Sequence, residues 1–232
     1  MVKMKTKVKA WEQAMVRGLA LALFAGGAGA ENYSFDGVRL EVPIPPGFCK
    51  LEEHGPDAVL RKGIAPTLGP ELRLLFAVVD CPSLPTLRKD PGYDGDVSFG
   101  MVALMQKDGK PAPMKNTVRD LAVGQAGKAP ERERVRSQVE AWMRMSGHPN
   151  VTERKELGIA DVDRNGIYGL ATVKARGRTN PALLVQTQSM TVVNGMGVVV
   201  TITEPVGPRT TVAGILAEQK RNLAALVSAN GP

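Results

Sequence analysis

Two dipeptides constrain the fold of this chain more than anything in its composition: Asp36-Gly37 and Asn194-Gly195, each set between runs of apolar residues. A two-residue loop of this kind needs positive φ at both positions, which Asp, Asn and Gly accept, and its twist matches that of the strands it joins. Strands joined so tightly can only run antiparallel. The first hairpin pairs residues 33–35 with 38–42, and Val38, Leu40 and Val42 share one face. Pro43, Pro45 and Pro46 end it, and Gly47 permits a turn just before Cys49. The second pairs residues 182–193 with 196–203.

The turn Asp163-Arg164-Asn165-Gly166 joins two further strands, residues 153–162 and 167–174, so the last third reads as a four-strand antiparallel meander. Earlier, residues 71–80 are almost wholly apolar from Leu74 to Val79, the pattern of a strand covered on both faces. Residues 97–105 make another strand, with Val97, Phe99, Met101, Ala103 and Met105 on one side and a Lys107-Asp108-Gly109 turn after it.

Helices fill the remainder. Residues 56–61 and 116–122 predict short ones. Residues 130–145 predict a longer one, opened by Pro130 and carrying Val135, Val139, Trp142 and Met143 on one stripe. Residues 210–230 predict a terminal helix whose buried stripe runs through Val212, Ile215, Leu216, Leu223, Leu226 and Val227. Short hairpin turns and strands apolar on both faces imply an α+β chain: a single mostly antiparallel sheet with helices on both faces, an α/β/α sandwich with a C-terminal helix.

The N-terminus speaks to location. Lys3, Lys5, Lys7, Lys9 and Arg17 precede the short apolar run of residues 18–27, and Ala28-Gly29-Ala30 has the small-x-small pattern of a signal-peptidase site. The run is half the ~20 residues a spanning helix needs. The expectation is a secretory signal over residues 1–30, cleaved near Ala30, and one exported domain over 31–232, periplasmic or secreted. The whole chain has 30 Lys and Arg against 23 Asp and Glu, a net charge of +7. The leader holds five of the bases and one of the acids, so the rest carries 25 against 22. With aromatics at 4%, that balance argues against nucleic acid as a partner. Residues 31–232 hold no apolar run long enough to span a bilayer.

Cys49 and Cys81 are the only cysteines, and in an oxidising compartment they are expected to pair. Metal ligation by this pair would lack the close spacing of a zinc site.

The opening "YSFDGVRLEVPIPPGF", a central strand pair, a meander with an Asn-Gly hairpin and a terminal helix resemble, in layout over residues 33–229, the PsbP-like sandwich proteins and their bacterial relatives. That resemblance implies an accessory or interaction protein rather than an enzyme, and no functional residue is carried over from it. The cysteine pair and the helical insert near Glu131 depart from the family layout.

Three segments could carry chemistry. "DVDRNG" places Asp161, Asp163, Asn165 and Gly166 at positions 1, 3, 5 and 6 of a calcium loop. Position 9 is Gly169, and position 12, where a bidentate Glu belongs, is Thr172. The flanks read as strands, and a tight turn in which Asn165 and Gly166 take positive φ explains the residues without a metal. His54, beside Glu52, Glu53 and Asp57, could act as a base with a carboxylate, and an acidic solvent loop is the plainer reading. His148 sits in a predicted loop. Lys174, Arg176 and Arg178 alternate along an extended run, either an anion patch or a solvated strand end. Ser98 does not stand in a nucleophile elbow. The expected function is a non-catalytic accessory or binding module of the cell envelope, with an unknown envelope protein or small ligand as partner and no cofactor, catalytic residue or metal ligand assigned. The alternatives are a small hydrolase using His54 and a calcium-stabilised module.

Overall fold

A computed structural model describes residues 29–64, 68–93, 95–144, 155–174 and 183–231. The first hairpin forms as the Asp-Gly turn requires. Strand β1 (Ala30–Phe35) pairs antiparallel with β2 (Val38–Pro43), and Asp36 and Gly37 hold φ of 49° and 84°. The Asn-Gly turn does the same between β9 (Leu183–Val193) and β10 (Met196–Pro205), with φ of 51° at Asn194 and 75° at Gly195.

Between these hairpins lie β3 (Phe48–Lys50), helix α1 (Pro56–Ile64), β4 (Leu72–Asp80), α2 (Leu84–Lys89), β5 (Phe99–Lys107) and the two-residue β6 (Lys110–Pro111). Helix α3 (Val118–Gln125) and a single 3₁₀ turn lead into α4 (Ala129–Arg144). Strands β7 (Lys155–Val162) and β8 (Ile167–Lys174) precede β9, and α5 (Val212–Ala229) closes the chain. Thr211 caps α5, its hydroxyl accepting the Gly214 N–H at 3.1 Å.

The main sheet runs β3-β4-β5-β10-β9-β8-β7, with β6 paired to β5, and all of its pairings are antiparallel. The meander joins the N-terminal strands through β10, which pairs with β5 on one side and β9 on the other. The expectation of one sheet needs correction here, because β1 and β2 form a two-stranded sheet of their own. Leu40 and Val42 on its inner face are fully buried in the main core. Pro43, Pro45 and Pro46 supply no N–H for a ladder, which is why β2 cannot run on into β3. Asn230 at the end of α5 fastens the hairpin instead, exchanging two hydrogen bonds with the Glu41 backbone at 2.9 and 2.7 Å.

The main core lies between one sheet face and the pair α4 and α5. Val135, Val139 and Met143 from α4 and Ile215, Leu216, Leu223 and Leu226 from α5 meet Tyr168, Leu170, Val198, Val200 and Ile202. Strand β4 is apolar on both sides, as its run of residues predicts. Phe76 and Val78 enter this core, while Ala77 and Val79 meet Leu84 and Leu87 of α2 in a second, smaller cluster with Leu51. Cys49 and Cys81 form a disulfide beside it, with 4.9 Å between their Cα atoms. Among the described residues no helix is long and apolar enough to cross a membrane.

Candidate functional site

The calcium-like stretch folds as the end of the β7–β8 hairpin, and its two carboxylates are held by groups of this chain. Asp163 Oδ1 accepts the N–H of Asn165 at 2.8 Å, the N–H of Gly166 at 3.2 Å and the hydroxyl of the fully buried Tyr168 at 3.0 Å. This is an aspartate shaping its own turn. Asp161 faces the helices: Lys220 Nζ lies 2.9 Å from Oδ2, Arg136 reaches within 3.9 Å of the same oxygen, and Oδ1 accepts the Val162 N–H at 2.8 Å. Burial pushes the Asp161 carboxyl upward, but Lys220, that N–H and Arg136 outweigh it and hold the group below the usual carboxylate range. Thr172 is buried inside β8.

The backbone of this turn differs from the expected form. Neither Asn165 nor Gly166 takes positive φ. Glycine is required at 166 by close approach: a Cβ there would lie 2.4 Å from Leu223 Cδ2 and 2.4 Å from the Met190 carbonyl oxygen. The sheet and α5 meet at this point with no room for a methyl group.

The acidic loop around His54 is also more than a solvated surface. Glu52, Glu53 and His54 are exposed, but Asp57 is 1% exposed. Its carboxylate takes Arg88 in a two-point contact, Nε to Oδ1 and Nη2 to Oδ2 both at 2.8 Å, and accepts the Glu52 N–H at 3.0 Å. The Arg88 guanidinium holds the Asp57 carboxyl below the usual range. Asp57 therefore locks α1 to α2 and has its lone pairs committed. Ser98, immediately before β5, donates its N–H to Asp80 Oδ2 at 2.9 Å and so ties the entry of β5 to the end of β4. His148, Arg176 and Arg178 lie outside the described residues, and only the backbone of Lys174 is described. Among the described residues no group of three or more His, Cys, Asp or Glu is placed to hold a metal.

Two features were not visible in the sequence. A broad cleft of about 660 Å³, open to solvent, lies between Glu140 and Met143 of α4 and six residues between 206 and 212 that carry the chain from β10 into α5. Its second wall is stiffened by Thr210, whose hydroxyl accepts the Gly207 N–H at 2.8 Å and whose own N–H donates to the Gly207 carbonyl at 3.0 Å. Nearby in sequence, burial pushes the Glu204 carboxyl up to about 7, and the Glu218 carboxylate adds to the rise. The cleft exists only because α4 meets a connection more than 60 residues further along the chain. The one local signal was Thr211, an N-cap residue at the head of an apolar-periodic run.

Comparison with known protein families and with curated proteins finds no match.

Proposed function

We propose that this chain is an exported, disulfide-bonded accessory domain that binds another component of the cell envelope. The Cys49–Cys81 bond carries the reading. Such bonds persist in oxidising compartments and are rare in cytosolic proteins. A basic leader, an apolar run and Ala28-Gly29-Ala30 precede the domain, consistent with cleavage near Ala30. Strand β1 would then begin at Glu31, whose carboxylate pairs with Lys50 at 2.8 Å.

We assign the docking site to the cleft between α4 and the β10–α5 connection. Its volume falls in the range of ligand sites, and its open, mixed polar and apolar walls suit a peptide segment or a protein loop better than an enclosed metabolite. The α/β/α arrangement of the PsbP-like proteins is part of the same proposal. The packing of α2 on Ala77 and Val79, opposite the face taken by α4 and α5, supports it.

The test has two parts. N-terminal sequencing of the protein from an envelope fraction should begin at Glu31. A photo-crosslinking residue at Glu140 or Thr210 should then trap one stoichiometric envelope component that the same residue at exposed Lys62 does not. An uncleaved cytosolic protein, or identical crosslinks from all three positions, would overturn the proposal.

A further inference from the structure

Three asparagines face the outer edge of β2 or the chain that follows it. Asn194 Nδ2 donates to the Arg39 carbonyl at 2.8 Å, and Asn230 takes both backbone groups of Glu41. Alternate residues of an antiparallel pair turn their backbone groups outward, so Pro43 is the next in that row. Asn222 stands about two turns before Asn230 on the same stripe of α5, with Leu226 between them. It is 8% exposed, and its Nδ2 is buried with no hydrogen-bond partner among the described residues. A small cavity of about 20 Å³ lies beside it, between α5 and residues 43–46. Val42, Val102, Val200 and Leu226 supply its apolar walls. It shares no lining residue with the cleft beside α4.

We infer that this cavity binds a single ordered water, which accepts from Asn222 Nδ2 and donates to carbonyls of the proline strap 43–46. Size selects the ligand. A site needs roughly 10–15 Å³ to hold one water, and this one has little space beyond that. Chemistry selects it as well. An apolar guest, or none, would leave a buried amide donor unpaired, which costs the folded state more than an ordinary hydrogen bond returns. The Nδ2 group offers donors, and the facing wall offers acceptors, because Pro43, Pro45 and Pro46 have a carbonyl but no N–H. The Ile44 N–H, the one backbone donor of the strap, is already given to the Gly29 carbonyl at 2.8 Å. The Pro45 carbonyl takes the Phe48 N–H at 3.1 Å and keeps a second lone pair. Water can accept from an amide and donate two protons to carbonyls at once. Helix α5 thus holds the exit of the first hairpin twice. Asn230 grips Glu41 directly, where β2 still has an N–H to give, and Asn222 reaches the prolines through water, where it has none.

A high-resolution crystal structure of the purified protein should show a water roughly 2.7–3.2 Å from Asn222 Nδ2 and within the same reach of a carbonyl among residues 43–46. In solution, the Asn222 side-chain amide protons should give cross-peaks to water of the sign that marks a long-lived contact. Asn222→Leu removes the donor and fills the space, so oxygen-17 relaxation dispersion should count one long-lived water fewer than in the wild type. The two wild-type measurements decide the matter if that variant does not fold. An empty cavity in the crystal overturns the inference. So does Nδ2 bonded directly to a protein carbonyl, or a count of long-lived waters that Asn222→Leu leaves unchanged.

Discussion

Replacing both cysteines, Cys49→Ser with Cys81→Ser, removes a cross-link whose value can be worked from its position. The bond joins residues 32 apart in sequence. Closing a loop of that length lowers the entropy of the unfolded chain by ~12 cal/mol/K, or ~3.7 kcal/mol at 25 °C. A domain of this size unfolds with an entropy of ~0.4 kcal/mol/K, so the double variant should melt ~9 °C lower. The entropic account makes a second demand. The freed unfolded chain expands, so the urea dependence of the unfolding free energy should steepen. Calorimetry and urea titration of the wild type, the double serine variant and the reduced wild type provide the comparison. A fall in melting temperature with an unchanged urea slope would refute the reasoning, because it would place the stabilisation in the folded state. In that case the short β3, which the bond ties near the end of β4, would be the element to examine.

Three further outcomes follow from the sites described above. Gly166→Ala should cost ~1–3 kcal/mol, since its Cβ meets Leu223 and a backbone oxygen; pairing it with Leu223→Ala should recover part of that loss, and full additivity in denaturant titrations would argue against the clash. Asp163→Asn should destabilise by ~1–3 kcal/mol, and calcium at about 1 mM should leave the wild-type melting temperature unmoved; a rise that vanishes in Asp163→Ala would restore the metal reading. Glu204 holds its proton more tightly folded than unfolded, so its contribution to stability is intact below pH 4.5 and is lost as pH rises through about 7. Glu204→Gln should flatten that decline and, allowing for solvent contact, gain ~1–2 kcal/mol at pH 8; identical pH profiles for variant and wild type would contradict the assignment.

Local chemistry made most of the elements legible. Asp36-Gly37 and Asn194-Gly195 announce their hairpins because two positive φ angles in a row are required there. The apolar stripe of α5 and the two-sided apolar run of β4 follow from period alone. What stayed hidden depends on meetings between distant segments. No turn residue says that β10 will lie against β5, or that β1 and β2 will stand apart from the main sheet. Gly166 looked like a turn glycine, and only Leu223, far along the chain, shows why no side chain fits. Asp57 read as one acid among several until Arg88 of α2 accounted for its burial. The cleft is the gap between α4 and a connection that follows β10, so neither segment signals it alone.

The placement of β10 also sets an order of events during synthesis. A chain emerging N-terminus first has β3, β4 and β5 in hand long before β10 arrives. Until residue 203 is free, the six positions of β5 that will pair with β10 are paired with β4 alone and leave one edge open, and Val102 and Leu104 have no α5 to cover them. Cys49 and Cys81 need nothing from that later half, since one lies in β3 and the other directly follows β4, its neighbour. In an oxidising compartment their bond can close first. It would then hold the half-built sheet together during the interval when its open edge is most exposed to wrong pairing.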